Sequence, residues 1–282
     1  MECLRIGVNK DTKGFAEKIL DVIKENDDNI DLKYKKNTKK NKLIYLDVFF
    51  KNKHEKIVKT KFENVTSDWI IKKYEKKIIY DIINKKYNNL SFIEKNEVLI
   101  DIMKKIENGK DVNLSKRRGE IKNKISEYLE TSDKLFIDGF VRFRLKEYWI
   151  KLEEIVEENV SKYVLNKEYE DFISLLQYFV HAQKPKLNIL HVIVKKDGTY
   201  SFYDKLLMDI TQECKNEFVN ELITKKINYD DLLISALIVF SPKKIILHNV
   251  NLIKNKELLT TIIKVFDKKI KFCNECKLCK NN

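Results

Sequence analysis

Cys273, Cys276 and Cys279 form a C-x₂-C-x₂-C triplet within the last ten residues of a 282-residue chain. Two residues between successive thiolates allow each neighbouring pair to bite a single metal ion. Three ligands leave a tetrahedral site one short, and the candidates for the fourth are His248, Cys214 and His191. Zinc is the metal that this donor set suits. The same spacing opens a bacterial ferredoxin run, C-x₂-C-x₂-C-x₃-C-P, but only three residues follow Cys279 and they hold neither a fourth cysteine nor a proline. The alternatives to a structural zinc are a redox or catalytic metal and unligated surface thiols. Five cysteines in all, an odd number with three in one cluster, are a poor disulfide framework and point to a reducing compartment.

A second candidate group is cationic. Only five of the 56 basic residues are arginine, yet Arg117, Arg118, Arg142 and Arg144 fall within 28 residues. The guanidinium fork binds carboxylate or phosphate bidentately where lysine cannot, so these four are candidates for an anion or partner site. The competing expectation is that they pair with nearby acids such as Glu153, Glu154, Glu157 and Glu158. The net charge of +13 is otherwise carried by lysine in a chain rich in Lys, Asn and Ile, a bias that fits an AT-rich genome and a solvated surface. Its densest part is Lys33 to Lys61, with eleven lysines against Asp47 and Glu55, centred on KYKKNTKKNK and expected to be a charged hairpin tip.

His54, His181 and His191 form no constellation in sequence. The chain has no G-x-S-x-G, H-E-x-x-H, G-x-x-x-x-G-K-[ST] or kinase set, so hydrolase, metalloprotease, P-loop and kinase chemistry find no support. Gly7 lacks the surrounding glycines of a dinucleotide loop. The longest apolar stretch, Leu232 to Phe240, is too short for a membrane helix, and MECLRIGVNKDTKG has no signal-peptide core. A soluble cytoplasmic protein without membrane insertion is the expectation.

The elements that must position these residues follow from hydrophobic period. Strand, helix, strand, strand is expected over Leu4–Val8, Lys13–Glu25, Ile30–Tyr34 and Leu43–Phe50, a small βαββ unit. Helices then dominate from Val65 to Lys184: one from Val65 capped by Ser67 or Asp68, one over Ser91–Glu107, and one from Ser115. A signature helix capped by Asp138 follows, with a partner helix whose face is Tyr169, Phe172, Ile173, Leu176, Phe179 and Val180. Strands return at Leu187–Val194 and Thr199–Tyr203 around Asp197-Gly198, a dipeptide suited to a type I′ hairpin. Helices over Met208–Thr224 and Tyr229–Phe240 precede a parallel βαβ unit made of Lys244–His248, Asn255–Phe266 and Lys269–Phe272. Both strands of such a unit end at one sheet edge, so His248 and Cys273 are expected to be neighbours, at the edge where open α/β sheets favour ligands. The fold class is thus α+β or mixed α/β. A helical middle (65–185) is flanked by an N-terminal βαββ unit (1–64) and a C-terminal α/β unit of hairpin plus βαβ (186–282).

The run IDGFVRFRLKEYWIKLEEIVEENVSKYVLNKEYEDFISLLQYFVHAQKPKLNILHVIV, Ile137 to Val194, resembles the signature region of the YtxC-like family, sporulation proteins of endospore-forming bacteria with no assigned molecular activity. The resemblance extends more loosely to Val65 and towards Cys279. It implies a cytoplasmic protein made for endospore formation and supplies no catalytic residue to carry over. The leading expectation is therefore a non-enzymatic factor that binds a protein partner, with a structural metal at the cysteine tail. The alternatives are a nucleic-acid-binding protein using the lysine-rich segment and the arginines, and a metal- or thiol-dependent enzyme.

Overall fold

A computed structural model describes residues 2–9, 13–24, 33–38, 43–108, 114–216, 229–273 and 275–280. It has an α+β fold with a helical middle and two separate four-stranded mixed sheets. The chain divides into two compact units, Met1–Val164 and Leu165–Asn282. The expected boundary at 64/65 falls inside the helix Glu55–Ile70 and that at 185/186 between a helix and a strand, whereas the compact units divide inside the helix Lys146–Ala182.

Unit 1 begins with β1 (Glu2–Asn9), α1 (Lys13–Lys24), β2 (Lys33–Thr38) and β3 (Leu43–Phe50), the βαββ order that the period predicts. β3 pairs antiparallel with both β1 and β2. The tip of the lysine-rich segment, residues 39–42, and the expected start of β2 at 30–32 lie outside the described residues. A fourth strand, β4 (Lys134–Phe136), adds parallel to β1 from within the region expected to be wholly helical. Three residues with one buried side chain, Leu135, are too few to show alternation.

β4 also explains Gly7. Gly7 faces Phe136 in the β1–β4 register and Tyr45 in the β1–β3 register, and a Cβ there would lie 2.5 Å from Phe136 Cδ2 and 3.3 Å from Tyr45 Cε1. We expect Gly7→Ala to cost about 1–3 kcal/mol through overpacking. Urea unfolding of unit 1 checks this, and an unchanged midpoint would show that Phe136 simply moves aside.

The helical part of unit 1 starts earlier than its sequence suggests. α2 (Glu55–Ile70) begins ten residues before Val65, leaving Ser67 inside the helix and Lys56 and Lys59 on a helix rather than a hairpin tip. Val58, Phe62, Val65 and Trp69 recur at three and four and are buried, and this stripe overrides the local charge. A five-residue π turn, Ile71–Glu75, joins α2 to α3 (Lys76–Lys86) and leaves Glu75 in the interior, 2% exposed. α4 (Phe92–Glu107) opens with a Ser91–Glu94 capping box, and α5 (Leu114–Thr131) follows. In α5, Arg117 is buried and its Nη1 donates to both carboxylate oxygens of Glu75.

The signature region departs most from expectation. α6 (Ile137–Arg144) ends at Leu145, and α7 runs unbroken from Lys146 to Ala182, so the expected signature and partner helices are largely one helix. No glycine or proline interrupts Lys146–Ala182, and nothing in the chain stops the 3.6-residue period. Asp138 is not the cap of α6; it lies in the first turn and accepts a hydrogen bond from Tyr74. That bond and burial push the Tyr74 hydroxyl pKa up, burial being the larger cause. Tyr148 of α7 donates to Glu75 and completes a buried Glu75–Arg117–Tyr148 cluster.

In unit 2, Ile173, Leu176 and Val180 of α7 enter the core, whereas Phe172 and Phe179 are exposed. The sheet has the order β6-β5-β7-β8. β5 (Ile189–Val194) and β6 (Tyr200–Tyr203) form the hairpin. Its turn is not type I′, which needs two positive φ values: only Gly198 has one, at 86°, and its N–H bonds to the Lys195 carbonyl. α8 (Thr211–Asn216) follows; residues 217–228, including the rest of the expected Met208–Thr224 helix, lie outside the described residues. After α9 (Tyr229–Phe240), β7 (Lys244–His248), α10 (Lys256–Phe266) and β8 (Ile270–Phe272) form the parallel βαβ unit as expected. Asn255 caps α10 through the backbone N–H groups of Glu257 and Leu258. Leu190, Val192 and Val194 of β5 and Ile245 and Leu247 of β7 face the core, so the intervening residues His191, Ile193, Ile246 and His248 line the opposite sheet face.

Candidate metal centre

His248 is the last residue of β7, and the β7–β8 register pairs Leu247 with Phe272. The ladder runs one step further, with Cys273 N–H donating to Leu247 O at 2.9 Å, which sets Cys273 across from His248 on the face away from the core. The chain then turns back through Glu275, whose φ of 52° is left-handed. A tight turn with Cys279 N–H on Cys276 O at 3.0 Å leads through α11 (Lys277–Lys280) and presents the other two thiols.

The result is one cluster. The Sγ atoms of Cys279 and Cys273 are 3.6 Å apart and those of Cys276 and Cys279 3.7 Å apart. His248 Nδ1 lies 3.3 Å from Cys279 Sγ and 3.5 Å from Cys276 Sγ. All four donor atoms lie within 4.8 Å of one another, and among the described residues this group can hold a metal ion. His248 is buried and the cysteines are half-buried.

Electrostatics suit a cation. Burial and hydrogen bonding with Cys276 and Cys279 push the Cys273 thiol up to about 11. Burial also raises Cys276, but the N–H groups of Cys279 and Leu278, with the other two thiols, outweigh it and bring this thiol below its ordinary value. Burial lowers the pKa of His248, assisted by His191, and burial with Lys244 lowers that of His191 against the opposing pull of Asp204. Both imidazoles are favoured neutral, the form in which histidine ligates.

Of the other proposed fourth ligands, Cys214 is fully buried in the hydrophobic core of unit 2 and does not join the cluster. His191 contacts His248, not the thiols: the rings meet edge to edge with centroids 5.2 Å apart and His191 Nδ1 3.0 Å from His248 Nε2. His54 precedes α2 and His181 bonds to Gln177 O through Nδ1.

The four arginines do not act together. Arg117 is committed to Glu75 in the interior and Arg118 pairs with Asp68 at 2.8 Å. These acids lie on α2 and the π turn rather than among Glu153–Glu158, because α5 packs along that helical run. Arg142 and Arg144 are exposed, stacked on Phe143 and Tyr128. Arg144 shares a surface groove with Lys124, Lys146, Glu127 and Glu147, whose mixed charge gives no exclusive preference for anions. No helix among the described residues is long and apolar enough to cross a membrane.

The family model described as the YtxC-like family matches residues 60–271, from within α2 to within β8, so His248 lies inside the match and the three cysteines just beyond it. The uncharacterized protein YtxC of Bacillus subtilis (strain 168) is 25% identical over 115 residues, which are 40% of this chain and 40% of that protein. The chain thus spans well under two thirds of that relative's length. No solved structure matches the chain significantly. With the family match running from α2 to β8, over most of the chain, the chain belongs to the YtxC-like family.

Proposed function

We propose that the chain is a cytoplasmic, non-enzymatic factor of endospore formation that binds a protein partner, with its cysteine tail locked to the sheet edge by one zinc ion. The family resemblance supports the sporulation setting. The zinc reading rests on one observation, the spacing of the donors. Metal–sulfur bonds of about 2.3 Å and metal–nitrogen bonds of about 2.0–2.1 Å in a tetrahedron give edges of about 3.8 Å between sulfurs and about 3.5 Å between sulfur and nitrogen. Four of the six donor separations match, with sulfur–sulfur distances of 3.6 and 3.7 Å and sulfur–nitrogen distances of 3.3 and 3.5 Å, and the remaining two are within 4.8 Å. Three thiolates and a neutral imidazole fill all four positions, which suits a structural ion and leaves no open position for a substrate.

A second reading, a thiol-dependent enzyme, is favoured by the 3.3 Å approach of His248 Nδ1 to Cys279 Sγ, the spacing of a thiol activated by a base. Metal content of protein purified without oxygen separates the two. We expect about one zinc per chain, lost in Cys273→Ser, Cys276→Ser and Cys279→Ser, each with a lower melting temperature. Iron with a visible charge-transfer band would replace zinc by a redox centre. A metal-free, fully stable protein would sink the zinc reading and move the thiol–imidazole pair to the front.

A further inference from the structure

The metal reading accounts for His248 Nδ1 but leaves its other nitrogen and a second half-buried imidazole unexplained. We propose that His191 is a positioning residue of the zinc site: its Nδ1 accepts the Nε2–H of His248 and thereby holds the ligand ring with Nδ1 toward the metal. This rests on the zinc reading above, and it assigns a fifth residue that offers no ligand atom.

Sheet register produces the pair. β5 and β7 are parallel, with His191 opposite Ile246 and Ile193 opposite His248. Paired residues share a face, so the two histidines are diagonal neighbours on the side away from the core, two positions out of step. Side chains at that diagonal meet only if long enough, and the imidazoles do so edge to edge, their planes 27° apart, with 3.0 Å between His191 Nδ1 and His248 Nε2. His248 is 2% exposed, so its ring has little freedom beyond this contact.

The proton count then fixes the direction of the bond. A neutral imidazole has one N–H and one lone pair. When Nδ1 of His248 gives its lone pair to zinc, the proton must sit on Nε2, and the atom facing it must accept. His191 Nδ1 therefore carries the lone pair and His191 Nε2 the proton. The opposite polarity, His191 Nδ1–H donating to His248 Nε2, would leave a proton on His248 Nδ1 between the thiols and block ligation. Ligating histidines commonly donate their second N–H to a carboxylate or carbonyl, and such partners are worth about 10–100-fold in metal affinity. Here a neutral imidazole takes that role.

Two substitutions separate hydrogen bonding from packing. His191→Phe keeps an aromatic ring and removes the acceptor; His191→Asn removes the ring and places Oδ1 where Nδ1 was. Zinc affinity of the full chain is measured by competition with a chromophoric chelator, and the His248 tautomer by ¹⁵N chemical shifts of the zinc-loaded protein. The expected result is a rise in zinc Kd of about 10–100-fold in His191→Phe, near-wild-type affinity in His191→Asn, and a protonated His248 Nε2. Equal affinity in all three proteins, or a weaker His191→Asn than His191→Phe, would overturn the positioning role while leaving the zinc site intact. A wild-type chain that binds no zinc overturns both.

Discussion

Arg117→Ala is expected to destabilise unit 1 by about 3–5 kcal/mol, because it strands a buried carboxylate. Glu75 is 2% exposed and Arg117 3% exposed, and the guanidinium neutralises Glu75 through Nη1 while Nη2 reaches the Ile106 carbonyl at 3.4 Å. Tyr148 donates to the same carboxylate, and burial, then the Glu75 charge, pushes its hydroxyl well above the ordinary value, so it remains a neutral donor that cannot replace the cation. The loss from one partner does not measure the worth of the pair. Converting the cluster together, as Glu75→Leu, Arg117→Met and Tyr148→Phe, is expected to recover most of the stability, since desolvation offsets much of a buried pair's attraction. Urea unfolding of the single and triple variants checks both, and an Arg117→Ala cost below about 1 kcal/mol would mean that water reaches Glu75.

Zinc removal is expected to have the second large effect, confined to the sheet edge. β8 is three residues long and its side chains are half-buried or exposed, while beyond it no described tail residue adds a side chain to the hydrophobic core of unit 2. A bound metal would then supply most of what holds the tail. At free zinc about 1,000-fold above Kd, the bound ion contributes about 4 kcal/mol. Chelation should therefore speed amide exchange at Cys273, whose N–H bonds to Leu247 O, by up to about a thousandfold. Amides of β5 and β7, flanked on both sides in the sheet, should stay protected. Exchange that accelerates equally across the sheet would place the metal in the folding of the whole unit; no change at Cys273 would deny it a role in holding the tail.

How far such features were legible depended on the range of their cause. The grouping of His248 with the three cysteines is within reach of the sequence because two inputs are local: the cysteine spacing, and a strand–helix–strand pattern that forces His248 and Cys273 to one edge. The role of His191 was not, since it depends on the two-residue offset between β5 and β7, a register that no local pattern encodes. Arg117 drew attention for its residue type, but its partner, Glu75, lies 42 positions away on a π turn that shifts the helical phase. The sequence period divides α7 in two because Tyr163 and Tyr169 lie on stripes that serve different cores, Tyr163 that of unit 1 and Tyr169 that of unit 2. β4 was invisible for its brevity, and Gly7 made sense only once β4 was in place.

X-ray absorption at the zinc edge, on full-length protein purified without oxygen, tests the central claim most directly. The account predicts one zinc with three sulfurs at about 2.3 Å and one nitrogen at about 2.0–2.1 Å. A first shell of oxygen and nitrogen alone, or no zinc in a protein that folds normally, would contradict it.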